Sequence, residues 1–313
     1  MHSSAAANWD LIVAASVRVT GEDTRRYRRE AERGTLVRLR RGVYMETATW
    51  NGLSERERQV QRLRAYAVSS HSRPVFCHQS AAVLHDLPLY SPPDQVHVAT
   101  ATASGGRSDG DIRKHLITAT AEDVIELDGL LTVTAPIAVA LLAADLPFRH
   151  AVIPADALLR RDARLAGDMV VRTLPGVRAY RKASRVLNFA SPLAESPGES
   201  LSRAVMSELG LPAPVLQHSF FDRRGRIGVV DFWWPEHNLI GEFDGRIKYS
   251  GAYGAGDEAL WREKKREDRL RAVGPRMTRW TWDIADSPAR LLAQLTAAGL
   301  PRPSAGRADK LRR

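Results

Sequence analysis

The sequence predicts an α/β protein of several domains, and three observations support this. The chain has 313 residues, enough for two or three domains, and 44% of them are hydrophobic, as in ordinary folded proteins. Strand-like and helix-like stretches alternate along it. A Ser- and Pro-rich segment at residues 191–199 marks a hinge before a new helix. We therefore expect domains at residues 1–50, 51–190 and 191–300, and a basic, disordered tail at 301–313.

The charge of the chain restricts its partners. A formal net charge of +10 favours a polyanion, most often nucleic acid; a membrane surface or simple solubility are the alternatives. Cys77 is the only cysteine, which excludes an intramolecular disulfide framework and a Cys-rich zinc site. We expect no export leader, because residues 1–20 contain no basic region followed by an apolar core, and the sequence has no stretch of about 18 apolar residues. We expect a cytoplasmic protein that does not bind a membrane.

The first 50 residues predict two helices followed by a basic hairpin. Leu11, Ile12 and Ala15 form an apolar stripe that predicts a helix over residues 8–17, and a second helix ends near Gly34. Residues 18–41 contain nine arginines and four acids, a local net charge of +5. Alternation over residues 35–44 predicts a β-hairpin with an arginine-rich tip. This order is typical of a winged helix-turn-helix.

A winged helix-turn-helix binds DNA with its second helix and its wing. The second helix can enter the major groove, while the wing contacts phosphates beside it. The alternative is a solvated helix face that happens to be arginine-rich. The expected DNA contacts are three arginines of the helix and three of the wing: Arg25, Arg28, Arg29, Arg38, Arg40 and Arg41.

Two segments resemble a known family. Residues 33–44, RGTLVRLRRGVY, resemble the wing of the N-terminal domain of AbiEi-family antitoxins. Residues 77–88, CHQSAAVLHDLP, resemble the segment that follows the wing in AbiEi-like actinobacterial proteins. The resemblance implies a winged helix-turn-helix, then a small mixed α/β middle domain of undisclosed role, and a cognate toxin as a partner.

Two histidines stand out in the middle domain. His78 and His85 are seven residues apart, which places them on one face of a predicted helix and suggests metal binding or catalysis. No third ligand is evident in the sequence, so the pattern favours a structural role. Strands are expected at residues 96–99 and 130–134, and helices begin at residues 136 and 151.

Residues 227–248, IGVVDFWWPEHNLIGEFDGRIK, predict two apolar strands joined by a turn at residues 235–238. Glu242 and Asp244 alternate on the second strand and therefore share a face, and pairing can bring Asp231 beside them. Three converging carboxylates need a compensating charge, and hard divalent cations prefer oxygen ligands. The alternatives are that Asp231 caps a strand, that Asp244 belongs to a turn, and that Glu242 pairs with an arginine.

The C-terminal segment resembles the PD-(D/E)XK nuclease superfamily, in the branch of the very-short-patch-repair endonuclease. Its predicted order is helix, three strands, helix, strand and helix, and its motifs match at Gly228, Val230, Asp231, Phe232, Trp234, Pro235, Glu242, Asp244 and Gly245. The resemblance covers about residues 195–297 and implies a restriction-endonuclease-type α/β domain. It also implies that Asp231, Glu242 and Glu199 bind Mg²⁺ or Mn²⁺ for phosphodiester hydrolysis.

One position departs from the superfamily pattern. Asp244 occupies the place where a lysine usually follows the strand glutamate, so the positive charge must come from elsewhere, such as Lys248, Lys264 or Lys265. The candidate catalytic set is thus Glu199, Asp231, Glu242, Asp244 and Lys248, and Lys264 and Lys265 are also expected to contact the DNA backbone.

Two alternative functions follow from these observations. One is a metal-dependent DNA nuclease targeted by a winged helix. The other is an antitoxin-type transcriptional regulator whose nuclease-like domain is non-catalytic.

Overall fold

The computed structural model describes residues 9–14, 25–101, 110–117, 119–166, 176–245 and 255–303. Its described part is mixed α/β with three β-sheets. The chain divides into two compact units, residues 1–146 with 164–188, and residues 147–163 with 189–313. The predicted Lys248 and residues 304–313 of the predicted tail lie outside the described residues. Among the helices that are described, none combines the length and the apolar character needed to cross a bilayer.

A three-stranded antiparallel sheet opens the first unit. Its strand order is β1-β3-β2, with β1 Ile12–Val13, β2 Leu36–Arg40 and β3 Val43–Glu46. Ile12 pairs with Tyr44 and Val13 with Val43, so the predicted helix over residues 8–17 is wrong at these two positions. The two β-branched residues complete the sheet edge, and this long-range pairing outweighs the local helical spacing. Residues 8 and 15–17 of that prediction lie outside the described part.

The basic helix α1, Arg25–Glu32, packs on this sheet through one aromatic residue. Tyr27 is buried against Leu36 and Tyr44, and the Tyr27 and Tyr44 ring centroids are 6.1 Å apart. Gly34 follows the helix with φ of +82°, a conformation that favours glycine, as the sequence predicted. Ala31 also packs against this cluster, while the exposed side chains of α1 face solvent.

A five-stranded mixed sheet forms the core of the rest of the first unit. Its order is β6-β5-β4-β8-β7, with β4/β8 and β5/β6 parallel and the other pairs antiparallel. The strands are β4 Val75–Phe76, β5 Val96–Thr100, β6 Ile112–Leu116, β7 Val124–Leu127 and β8 Leu130–Val133. The helices are α2 Thr47–Gly52, α3 Glu55–Ser69, α4 His78–Leu84, α5 Ala135–Asp145 and α7 Gly176–Phe189. The strands predicted at residues 96–99 and 130–134 are present as β5 and β8, and the helix predicted from residue 136 is present as α5, while β6, β7, α2 and α7 were not predicted.

Helix α6, Phe148–Arg161, belongs to the second unit, although its residues lie inside the predicted middle domain. It packs against α8, Pro197–Glu208, around a buried ion pair. Arg203 Nε and Nη2 each lie 3.0 Å from an oxygen of Asp156, and Asp156 is fully buried. A buried carboxylate held by two hydrogen bonds from one guanidinium fixes these two helices relative to each other.

The second unit follows the predicted order of elements. Helix α8 precedes β9 Val215–Asp222, β10 Gly225–Trp234, β11 Leu239–Phe243, α9 Ala255–Ala272, β12 Arg276–Trp280, a short α10 Trp282–Ala285 and α11 Pro288–Ala298. The four strands form a sheet of order β12-β11-β10-β9, in which only the β11/β12 pair is parallel. The sheet therefore places the predicted acid-bearing hairpin, β10 and β11, at its centre.

Aromatic residues fill the core beneath this hairpin. Phe232, Trp234 and Trp280 are each at most 1% exposed, and the Phe232 and Trp280 rings stack with centroids 5.3 Å apart. Trp280 Nε1 donates a hydrogen bond to Ser202 Oγ of α8 at 2.8 Å. A Cβ on Gly241 would lie 2.6 Å from the Trp280 ring, so only glycine fits there. The buried tryptophans are thus core residues.

Candidate functional site

The hairpin brings Asp231 and Glu242 together from neighbouring strands. Phe232 pairs with Gly241 in the antiparallel ladder, so the next residues outward, Asp231 and Glu242, lie opposite each other. The turn that sets this register contains Asn238 in the left-handed conformation, with φ of +44°. Asp231 Oδ2 also accepts a hydrogen bond from the Phe243 backbone N–H at 2.8 Å. Two of the predicted acids are therefore held side by side by the sheet itself.

The environment of Asp231 opposes its ionisation. Burial is the largest cause, and the charges of Glu199 and Glu242 add to it, so that the pKa of Asp231 rises to about 7. The hydrogen bond from Phe243 N–H and the charge of Arg266 act in the opposite direction. Glu199 and Glu242 therefore both lie close enough to Asp231 to affect its titration.

Glu199 reaches the hairpin from the start of α8. Ser196 caps this helix by accepting from the Glu199 N–H, which fixes Glu199 in the first turn as predicted. Glu199 Oε2 accepts from the Glu195 N–H at 2.9 Å and from Gln217 Nε2 at 3.0 Å. Burial raises the pKa of Glu199, and these hydrogen bonds offset part of the rise. The carboxylate is thus buried but held in one orientation.

Glu242 forms ion pairs with two arginines, and pairing with an arginine is one of the alternatives that the sequence left open. Arg266 Nη2 of α9 lies 2.6 Å from Oε1, and Arg279 Nε of β12 lies 2.8 Å from Oε2. Burial raises the pKa of Glu242, and the two guanidinium groups offset part of that rise. Arg266 and Arg279 also form ion pairs with Glu263, so α9, β11 and β12 share one network of charges.

Two of the lysines predicted to supply positive charge to the acids, Lys264 and Lys265, contact Trp261 in the structure. Lys264 and Lys265 are exposed on α9, and each ammonium lies over the Trp261 ring. Arg266, the next residue, reaches Glu242 instead. Strand β11 ends at Phe243, so Asp244 does not continue the alternation with Glu242, and its carboxylate is exposed. Lys248 lies outside the described residues.

Sequence reasoning did not place Arg266, Arg279 or Gln217 beside these carboxylates. Arg279 is the register partner of Glu242 on the adjacent parallel strand, and Gln217 donates to Glu199 from β9. The available signal for Arg279 was an arginine directly before the buried Trp280 in a predicted strand. Gln217 has φ of +51°, which no sequence pattern reveals.

The carboxylate oxygens of Glu199, Asp231 and Glu242 are spaced more widely than the ligands of a bound metal ion. Within the described ranges, the one group of three His, Cys, Asp or Glu residues whose ligand atoms all lie within 4.8 Å of one another is Cys77, His78 and His115. The acid group thus interacts electrostatically across longer distances. A cation at this centre would require the Glu242 carboxylate to turn from at least one arginine.

The predicted DNA-contacting arginines of α1 are all on its solvent side. Arg25, Arg28 and Arg29 are exposed, while Tyr27 between them is buried. Arg28 Nε lies 3.0 Å from Glu32 on the next turn, a surface pair of the weak i,i+4 type. The helix therefore presents its arginines to solvent, as the sequence predicted.

The three arginines of the predicted wing differ in their surroundings. Arg38 and Arg41 are exposed on either side of the hairpin turn. Arg40 instead lies over the Tyr66 ring and pairs with Asp111 at 2.9 Å. It therefore contributes to packing within the first unit, and it is the least available of the three for a phosphate.

The two histidines singled out in the sequence have different partners. Helix α4 begins at His78 and ends at Leu84, and His85 Nε2 donates to the Val133 carbonyl at 2.8 Å. This contact is structural, as expected. His78 is buried beside Cys77, His97 and His115, so the neighbours that the sequence did not reveal come from β5 and β6.

Comparison with known proteins gives limited similarity. No family model matches the chain. The chain is similar to two uncharacterized proteins of Mycobacterium tuberculosis, MT2308 and Rv2248, with 34% identity over 154 residues in each case. The match covers 47% of this chain and 53% of each relative, so the chain spans about half the length of the curated relatives it matches.

Proposed function

We propose that this protein is a metal-dependent nuclease that hydrolyses phosphodiester bonds in DNA, with its centre at Glu199, Asp231 and Glu242. The supporting observation is that the β10/β11 pairing places Asp231 opposite Glu242, while Glu199 of α8 lies close enough to add to the rise in the pKa of Asp231. Mutual repulsion of buried carboxylates destabilises a fold unless a cation offsets it. An all-oxygen donor set suits Mg²⁺ or Mn²⁺ and therefore fits a hard divalent cation.

The residues of the centre have separate tasks in this proposal. A divalent ion, when bound, supplies an activated water and positive charge beside the scissile phosphate. Asp231 and Glu242 would hold it from adjacent strands, and Glu199, oriented by Gln217, would complete the oxygen set. Arg266, freed from Glu242, would stabilise the charge that builds on the phosphate, as the superfamily lysine does.

The basic surfaces would bring DNA to this centre. Exposed arginines on α1 and at the wing attract phosphates irrespective of sequence. On α9, the exposed Lys264 and Lys265 can contact the backbone near the carboxylates. The proposal therefore joins a DNA-binding first unit to a hydrolytic second unit.

The test is a cleavage assay on supercoiled plasmid and on short single- and double-stranded DNA, with Mg²⁺, Mn²⁺ or chelator. Asp231→Asn and Glu242→Gln keep the shape of each side chain and remove its charge. We expect each to reduce cleavage on the order of 10²-fold or more. Asp222→Asn is the matched control, because Asp222 lies on the same sheet but pairs with Arg269. Cleavage that persists equally in all three variants would exclude the proposed centre.

One observation favours a second function. Both Glu242 oxygens are occupied by arginines, as in a structural carboxylate. This supports an antitoxin-type DNA-binding regulator, with a cognate toxin as partner and a non-catalytic nuclease-like domain.

The regulator reading predicts DNA binding without cleavage under any metal condition. Arg28→Ala and Arg41→Ala should each weaken binding and lower the slope of log affinity against log salt by about 1. Arg41 is a cleaner choice than Arg40, whose side chain packs within the unit. Arg290→Ala, an exposed arginine of α11, is the control and should leave binding unchanged.

A further inference from the structure

Four potential metal ligands lie together on the β4, β5 and β6 side of the five-stranded sheet, within the first unit. Cys77 follows β4, His78 begins α4, His97 lies in β5 and His115 in β6. Three of them are almost fully buried, with exposures of 0% for Cys77, 6% for His78 and 2% for His97. This cluster is separate from the carboxylate centre, which belongs to the second unit.

The spacing of the ligand atoms is close to that of a tetrahedral site. Zn–S and Zn–N bonds of about 2.3 and 2.05 Å place tetrahedral S and N ligands about 3.6 Å apart and N ligands about 3.4 Å apart. Cys77 Sγ and His78 Nδ1 are 3.3 Å apart. The ligand atoms of Cys77, His78 and His115 all lie within 4.8 Å of one another. Because a metal lies in the plane of each imidazole that binds it, binding would require the His115 ring to turn out of its stack on His78.

The backbone and neighbouring groups hold the cluster in place. His78 has φ of +48°, a strained left-handed conformation that persists only where the surrounding structure holds it. Its ring stacks on His115 with centroids 3.7 Å apart. His97 Nδ1 lies 2.8 Å from His115 Nε2, so one ring donates to the other. Such a hydrogen bond orients a ligating histidine.

Burial shifts the pKa values of this cluster in the metal-free structure. It lowers the pKa of His78, His97 and His115. Burial raises the pKa of the Cys77 thiol, so a thiolate forms there only beside a cation. Without a metal, the cluster is a packed group of neutral rings and a thiol.

We propose that Cys77, His78 and His115 form a buried site for a zinc-class transition metal, with His97 as the positioning residue of His115. Binding breaks the Cys77 S–H bond, forms an S–metal bond and releases the proton to solvent. One sulfur and two imidazole ligands select a borderline metal over Mg²⁺. The bound ion ties the start of α4 to β6 and stabilises the middle of the first unit.

The experiment uses the full chain without a histidine tag, stripped with chelator and titrated with Co²⁺. Because Cys77 is the only cysteine, any thiolate-to-cobalt charge-transfer absorption must come from it. We expect this band, together with visible d–d bands, to saturate at one equivalent of Co²⁺ and to be lost when Zn²⁺ displaces it. Native mass spectrometry should detect a bound Zn²⁺ that the Cys77→Ser variant lacks, and Zn²⁺ should raise the melting temperature.

Variants assign the ligands. Cys77→Ser should abolish the charge-transfer band, and His115→Ala and His97→Ala should weaken Co²⁺ affinity about 10- to 100-fold. His71→Ala, an exposed histidine preceding β4, should leave binding unchanged. Absence of bound metal in the unaltered chain, by both absorption and native mass, overturns the proposal whether or not the variants fold. A charge-transfer band unchanged in Cys77→Ser also overturns it.

Discussion

Asp231→Asn should stabilise this protein at neutral pH. The folded chain raises the pKa of Asp231 from 3.8 to about 7, chiefly by burial and through Glu199 and Glu242. At ~1.36 kcal/mol per pKa unit, keeping this group ionised above pH 7 costs about 4 kcal/mol. Because water can partly screen the half-buried group, we expect the variant to gain about 2–4 kcal/mol. Asparagine carries no charge and can still accept from the Phe243 N–H.

The pH dependence gives the sign of the effect. A raised folded-state pKa means that the folded protein binds the Asp231 proton more tightly than the unfolded chain does. Its contribution to stability is complete below about pH 4 and is lost as the pH rises through about 7. The two proteins should therefore be similar in stability near pH 4 and differ most near pH 8. Saturating Mg²⁺ or Mn²⁺ should narrow that difference, because the cation favours the ionised form of the parent.

The assay is urea unfolding in the presence of chelator at several pH values, followed by tryptophan emission. Five of the seven tryptophans lie in the second unit: Trp233, Trp234, Trp261, Trp280 and Trp282. Asp222→Asn is a control for which we expect a change in stability of the opposite sign. Arg269 lowers the pKa of Asp222 to about 2, so this variant should lose stability above pH 4. The reasoning would be refuted if Asp231→Asn were no more stable than the parent at pH 8. It would also be refuted if the gain in unfolding free energy were as large at pH 4 as at pH 8.

Three further outcomes test the packing. Asp156→Ala should cost about 3–5 kcal/mol in urea unfolding, because it leaves the buried Arg203 guanidinium without its carboxylate; a loss below 1 kcal/mol would contradict this. Gly241→Ala should destabilise the second unit by about 1–3 kcal/mol in the same assay, since its methyl group meets the Trp280 ring, and unchanged stability would contradict the clash. Ser54→Ala should cost about 1 kcal/mol in the first unit by removing the capping box of α3, while increased stability would contradict that role.

The order of elements in the second unit was accessible from the sequence because its signals are local. Two apolar stretches predicted the strands of the hairpin, and turn-forming residues at 235–238 predicted the turn between them. Asp231 and Glu242 stood out as acids within these apolar strands. The start of α8 was equally readable, since a serine cap and Glu199 stand in the first turn. Local patterns thus predicted which strands form and which acids they carry.

The first strand was not accessible for the same reason. Ile12 and Val13 form a sheet edge only because Tyr44 and Val43, some thirty residues later, offer free backbone groups to them. Viewed locally, their spacing fits a helix face. The pairing free energy comes from a distant segment, which a single stretch of sequence does not contain.

The sequence by itself determined the α/β character, the basic surface of α1 and the pair of acids on one hairpin. Only the tertiary structure decided which cations meet those acids. Arg266 and Arg279 reach Glu242 because α9 packs over the sheet and β12 lies in parallel register beside β11. It likewise gathered Cys77, His97 and His115 around His78 from three separate elements. Charges and ligands act through space, and chain folding alone sets those distances.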